Sequence, residues 1–91
     1  MRYAYHQAFL QTTERLSRHQ AEALLRAVEK FQQAIEANQW PRGLGITHLR
    51  DNYFKFRVDL HVRVIYRRSP GLIEYVLYGS HAAVRRFLKS L

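Results

Sequence analysis

Between Phe54 and Arg68 the chain alternates in a way that leaves one structural reading. Apolar side chains at Phe54, Phe56, Val58, Leu60, Val62 and Val64 are interleaved with Lys55, Arg57 and Arg63, and Arg67 follows. Successive side chains of a β-strand point to opposite faces. This stretch therefore predicts a strand pair with one face in a core and a row of cations on the other. Like charges side by side on a sheet repel one another, so such a face implies a polyanionic neighbour.

The rest of the chain supplies what covers the apolar face. Arg2 to Tyr5 is short and aromatic and reads as a strand, and Phe9, Leu10 and Leu16 suggest a short helix over His6 to Leu16. Ser17 and Gln20 have the spacing of a capping box, in which hydroxyl and amide satisfy backbone donors at a helix start. Behind them Ala21, Leu24, Leu25, Val28, Phe31 and Ile35 recur at helical spacing, giving an amphipathic helix of about five turns. Asn38 and Gln39 fray it, and Pro41, Gly43 and Gly45 make a loop. Ile46 to Leu49 is a short edge strand. Tyr53 to Asp59 and Val62 to Arg68 are strands joined tightly near Leu60 and His61. Ser69-Pro70-Gly71 is a turn, Leu72 to Tyr78 is apolar on both sides and hence central, and Ala82 to Leu91 is a terminal helix. The order predicts a single α+β domain over residues 1–91: an N-terminal strand, a helical hairpin, an antiparallel meander sheet and a short C-terminal helix. The long helix should lie on the apolar face, leaving the cationic face open.

Charge narrows the partner. Fifteen Lys and Arg against seven Asp and Glu leave a formal +8, an excess that points to nucleic acid, an acidic protein or an anionic membrane. Twelve of the fifteen cations are Arg. Arg grips phosphate with a planar fork and stacks on bases, which favours RNA or DNA. Absence of cysteine excludes disulfides, thiolate metal sites and a thiol nucleophile. No apolar run nears the ~18 residues of a membrane span, and the N-terminal residues carry no signal-peptide core. Cytoplasm is the expected location.

With these elements in order, the chain resembles the RelE/ParE superfamily of type II toxin–antitoxin toxins. The resemblance rests on Leu49-Arg50, Phe54-Lys55-Phe56-Arg57, Arg63-Val64-Ile65-Tyr66 and Gly79-Ser80-His81, and it runs over nearly the whole length. It implies a RelE-like fold and one of two activities. The RelE-like branch cleaves mRNA in the ribosomal A site without metal, whereas the ParE-like branch keeps the fold and inhibits DNA gyrase. A cognate antitoxin wraps and silences such toxins, in a hetero-oligomer.

Metal-free RNA cleavage needs a proton taken from the 2′-hydroxyl, cationic stabilisation of the phosphorane, and a proton given to the leaving 5′-oxygen. The resemblance puts Arg63 at the position of the phosphorane-stabilising arginine. Lys55 and Arg57 fall where the family holds phosphate, and Lys55 is a second candidate for proton transfer. His81, at a position held by Arg or His in relatives, is assigned as general acid, since imidazole titrates near neutrality. The alternative is a histidine that orders the turn before the last helix. Phe87 departs from relatives that carry a tyrosine there. It can stack on a base, worth about 1–3 kcal/mol, or anchor the last helix with Val84 and Leu88, but it cannot move a proton.

Arg50, Arg67 and Arg85 extend the RNA-binding surface, with Arg86 and Lys89 beyond them. His61 at the hairpin tip reads as solvated. His6, His19 and His48 have no ligand spacing, so no metal and no cofactor are expected. Glu22 and Glu29 are expected to pair with Arg26 along the helix, and Trp40 to cap the helix-to-sheet junction.

The expectation is a metal-independent, ribosome-dependent mRNA endoribonuclease that inhibits translation. Its partners are ribosome-bound mRNA, rRNA and an antitoxin, with no membrane involved. Two alternatives stay open: a gyrase-inhibiting binding toxin, and a catalytically decayed RNA-binding module.

Overall fold

A computed structural model describes all residues, Met1–Leu91. Its elements are β1 (Arg2–Tyr5), α1 (Gln7–Thr12), α2 (Arg18–Ala37), a 3-10 turn (Arg42–Leu44), β2 (Thr47–Arg50), β3 (Tyr53–Arg57), β4 (Arg63–Ser69), β5 (Leu72–Gly79) and α3 (His81–Ser90). Five strands form one sheet in the order β1-β5-β4-β3-β2. The meander β2 to β5 is antiparallel as expected, and β1 joins its far edge parallel to β5. The architecture is α+β.

α2 begins where the sequence predicts. Gln20 N–H donates to Ser17 Oγ (3.1 Å) and Ser17 N–H donates to Gln20 Oε1 (2.9 Å), closing the capping box. The helix stops at Asn38, which turns left-handed (φ 53°) while Gln39 N–H returns to Ala34 O at 2.9 Å. Asn tolerates that conformation better than most residues. The buried stripe is Leu24, Ala27, Phe31, Ala34 and Ile35. Leu25, expected in that stripe, is 64% exposed, because the covered face is narrower than the apolar pattern. Phe31 is the keystone. Its ring stacks on Phe56 at 4.3 Å and tilts onto Tyr66 at 4.6 Å. Of the expected helix ion pairs, neither Glu22–Arg26 nor Arg26–Glu29 forms, and Arg18–Glu22 forms instead at 3.3 Å.

The first of the two long strands ends two residues earlier than its alternation suggests, and the second is shifted by one residue, Arg63–Ser69 in place of Val62 to Arg68. Val58 to Val62 leave the sheet as a five-residue loop, pinned by Asp59 Oδ1, which accepts from the N–H groups of His61 (2.7 Å) and Val62 (2.9 Å). Leu60 in that loop is 79% exposed rather than core. In β5 a bulge changes the phase: Ile65 faces Leu77, Tyr66 faces Tyr75, and Val76 is the extra residue. Val76 thereby turns to the sheet's second face, while Tyr75 and Tyr78 both stay with the α2 core. One extra residue explains why β5 reads as apolar on both sides.

The second face, expected from sequence to be left open, is instead partly covered. α3 lies on it through Val84, Phe87 and Leu88, which join Ile65 and Val76 in a second, smaller apolar cluster. Gly79 lets the helix approach, since a Cβ there would stand 2.7 Å from Ala83 Cβ. Trp40 is 53% exposed and ties the α2–β2 connection to β4 by lying under the Arg68 guanidinium (5.7 Å to the ring centre). No helix is long and apolar enough to cross a membrane.

Candidate functional site

At one end of the second face, β3, β4 and β5 present Arg57, Arg63 and Gly79 side by side in register. Two facing strand positions thus carry like charge. The glycine between Arg63 and the first turn of α3 leaves room for a side chain from that helix. Ser80 caps α3 by accepting from Ala83 N–H (3.2 Å), which fixes His81 as the first helical residue directly over Arg63.

Arg63 is the one buried charged residue of the chain, 8% exposed. Its Nη1 donates to the carbonyls of Asp59 (2.6 Å) and Val62 (3.1 Å), both in the β3–β4 loop. Its Nη2 meets Nε2 of the exposed His81 at 3.1 Å. A guanidinium can only donate, so Nε2 accepts and the imidazole proton sits on Nδ1. The Asp59 turn therefore orients the carbonyls, the carbonyls orient Arg63, and Arg63 orients His81.

The electrostatics agree with that geometry. The positive charge of Arg63 beside it, with burial and then Lys55, Arg85 and Arg57, holds the His81 pKa below its ordinary 6.5. That shift favours the neutral imidazole. Arg85 lies one helical turn beyond His81 and so shares its face. The chain's ion pairs within 4 Å use the N-terminus, Arg18, Arg50 and Arg67. None reaches Lys55, Arg57, Arg63 or Arg85. Four cations and a histidine thus converge with no salt bridge to any of them, an arrangement that costs the free fold stability and that an anion would relieve.

The structure brings together Arg63, His81, Lys55, Arg57 and Arg85. It separates Arg67 and Arg50. Arg67 lies four residues along β4 from Arg63, about 13 Å at strand spacing, and pairs with Glu74 at 2.9 Å. Arg50 is at the same far end, opposite Tyr53, and is 3.7 Å from the Asp51 carboxylate. Phe87 packs edge-on against Tyr53 with centroids 5.3 Å apart, so it anchors α3. Arg63 was expected to point at a phosphorane. In the free protein its Nη1 hydrogens are taken by carbonyls, and only Nη2, behind His81, faces the surface. His81, expected as a general acid, accepts from Arg63 Nη2 in the free protein.

The remaining histidines have structural partners or none. His6 accepts from Ala8 N–H at 3.0 Å and caps α1. His48 contacts the Asp51 carbonyl at 2.7 Å and tilts onto Phe54. No three His, Cys, Asp or Glu side chains converge. Sequence reasoning missed Asp59, though an Asp two and three residues before the amides it accepts from is a legible turn signal. It also missed the need for glycine at position 79.

This architecture is shared with solved structures. YafQ from E. coli superimposes with a TM-score of 0.66 over 92% of this chain and 98% of that one, at 15% identity. The RelB–RelE antitoxin–toxin complex from Methanococcus jannaschii gives 0.69, covering 92% and 96%, at 12% identity. The YoeB/ParE toxin from Agrobacterium tumefaciens gives 0.63, covering 89% and 99%, at 16% identity. The fold is that of the RelE/ParE toxins. No family model and no curated protein sequence matches the chain. At these identities the likeness establishes the fold alone.

Proposed function

We propose that this chain is the toxin of a type II toxin–antitoxin pair and that it cuts RNA without a metal. The observation that carries the reading is the exposed His81, held 3.1 Å from a buried Arg63 in a cluster of cations that form no salt bridge. A phosphodiester fits there. Lys55, Arg57 and Arg85 hold the non-bridging oxygens, and the amino end of α3 adds its partial positive charge. The phosphate also takes the free hydrogen of Arg63 Nη2, which loosens His81 and places that guanidinium where phosphorane charge develops.

The same anion offsets the positive field that depresses the imidazole pKa. His81 then gains a proton and delivers it to the 5′-oxygen as the 2′-hydroxyl gives its proton to solvent water, the 2′-oxygen bonds to phosphorus and the P–O5′ bond breaks. Products are a 2′,3′-cyclic phosphate and a 5′-hydroxyl. The resemblance carried by Phe54-Lys55-Phe56-Arg57, Arg63-Val64-Ile65-Tyr66 and Gly79-Ser80-His81 implies ribosome-bound mRNA as substrate, and the solved complexes of RelE with RelB and YafQ with DinJ support a cognate antitoxin. Action would then be in the cytoplasm.

The competing reading is a toxin that binds and cuts nothing, with gyrase as target. It draws on Arg63 being largely withdrawn from the surface and on Phe87 offering no proton. Induced expression separates the two. The nuclease reading expects translation to stop first, with new mRNA 5′ ends inside codons and relief of arrest by His81→Ala. Early loss of supercoiling with intact mRNA would leave the binding reading standing.

A further inference from the structure

The loop from Val58 to Val62 is tied into a knot with little slack. One carboxylate oxygen of Asp59 takes the N–H groups of His61 (2.7 Å) and Val62 (2.9 Å). The Val62 carbonyl gathers three donors: Val58 N–H at 3.0 Å, Asp59 N–H at 3.4 Å and Arg63 Nη1 at 3.1 Å. The other hydrogen of Nη1 goes to the Asp59 carbonyl at 2.6 Å. Both hydrogens of Nη1 are thus engaged by one loop, which sets the plane of the guanidinium. That plane carries Nη2 to His81 Nε2.

We infer that Asp59 is a positioning residue for the proposed cleavage: by shaping this turn it fixes Arg63, and through Arg63 the ring nitrogen that His81 keeps free of a proton. The catalytic half of this role rests on the nuclease reading, whereas the control of His81 does not. Geometry acts here, not charge. No salt bridge joins the Asp59 carboxylate to Arg63, and the contact between the two residues is made by the backbone carbonyl. What the carboxylate supplies is a pair of acceptor bonds that hold the carbonyls in place. Reacting groups need to stay within about 0.5 Å of their productive geometry, and a misplacement of about 1 Å can cost about 100-fold in rate.

The imidazole makes the consequence visible. Which ring nitrogen of a neutral histidine holds the proton is set by the hydrogen bond that the other makes. Arg63 settles that choice by donating to Nε2, which leaves the proton on Nδ1. Nε2 therefore stays bare until a phosphate draws the Nη2 hydrogen away, and it is then the nitrogen that takes up and delivers a proton. Without a fixed Arg63, His81 should sample both tautomers. It would also lose the adjacent positive charge that, ahead of burial, Lys55, Arg85 and Arg57, holds its pKa down.

The test compares Asp59→Asn, Asp59→Ser and Asp59→Ala in the full chain. Asn keeps the acceptor oxygen and discards the charge, Ser makes the same turn more weakly, and Ala cannot make it. In nitrogen NMR of the His81 ring, wild type and Asp59→Asn should show one tautomer with Nε2 bare. Asp59→Ala should show a mixture and a titration midpoint nearer 6.5, with Asp59→Ser between. On ribosome-bound mRNA, Asp59→Ala should lower kcat roughly 10–100-fold and move KM less than about threefold, because Lys55, Arg57 and Arg85 still hold the phosphate. Asp59→Asn should restore kcat to within about threefold of wild type. In an Arg63→Gln background, Asp59→Ala should cost less than about twofold more, since its route to His81 is gone.

A ring spectrum of Asp59→Ala identical to that of wild type would overturn the positioning role. So would an Asn variant as impaired as the Ala one, because charge would then be decisive. Full additivity with Arg63→Gln would show that Asp59 acts by another route. Should Asp59→Ala fail to fold, Asp59→Ser carries the same comparisons with smaller shifts. The ring spectra need no RNA cleavage: a wild type that cut nothing would sink the nuclease reading, and control of His81 by Asp59 would stand or fall on the spectra.

Discussion

The two faces of the sheet obey different rules. Under α2, Phe31, Phe56, Tyr66 and Tyr75 interlock with almost no exposure, and Tyr75, the most enclosed hydroxyl, accepts from Gln32 Nε2 at 2.8 Å. Under α3 the apolar cluster is small, and beside it four cations crowd a histidine with no salt bridge to any of them. The first face is arranged for stability. The second gives stability up, and the deficit is where an anion gains its binding energy.

Truncating the α2 side should cost most. Phe31→Ala removes the ring that three strands pack on and is expected to lose about 3–5 kcal/mol in denaturant unfolding. Phe87→Ala, on the partly covered side, should lose no more than about 2 kcal/mol. If the two losses were equal, the contrast between the faces would be false.

His81→Ala makes the converse case. General acid catalysis is worth about 10²–10⁴-fold, so cleavage of ribosome-bound mRNA should fall by that range. Unfolding free energy should stay close to that of the wild type, as for exposed positions generally. Cleavage unchanged in this variant removes the histidine from the chemistry.

Gly79→Ala tests the joint between the faces. Its methyl would meet Ala83 Cβ at 2.7 Å; overpacking of this kind costs about 1–3 kcal/mol and shifts the first turn of α3 with His81. Adding Ala83→Gly should restore cleavage more than stability, because glycine inside a helix itself costs about 1 kcal/mol. Smaller still, Arg57→Gln removes one of two facing like charges and should raise stability by about 0.2–1 kcal/mol while weakening RNA binding. Simultaneous loss of stability would mean that Arg57 holds the fold rather than the ligand.

The faintest contrast is in pH. The folded pKa of His81 is below 6.5, so below that pH the unfolded chain binds the extra proton first. Its contribution to stability is whole above pH 6.5 and is lost as pH falls through the folded value. Tyr66 works at the other end: burial raises it to about 12 from 10, so its contribution is whole below pH 10 and is lost toward pH 12. His81→Gln should flatten the acid limb relative to wild type and leave the alkaline limb alone. An acid limb identical in both proteins would refute the depressed imidazole.

Local rules carried much of this. The capping box at Ser17 and Gln20, the Phe31-centred stripe and the alternation through Phe54 to Arg57 depend on near neighbours, so spacing alone reveals them. That alternation also placed Lys55, Arg57 and Arg63 on one face. The bulge at Val76 was illegible, because one inserted residue leaves no trace in an apolar run. The exposure of Leu25 was hidden because sequence does not give the width of the surface a helix covers.

What residues dictated unaided is the inventory: an α+β chain, a strongly basic strand face, and a histidine beside the final helix. What three dimensions alone decided is the meeting. Arg63 and His81 are eighteen positions apart, and they touch because the Asp59 turn aims one side chain while glycine 79 admits the helix that carries the other. Spacing along a chain sets which way a side chain faces, but contact between distant groups depends on how whole elements pack.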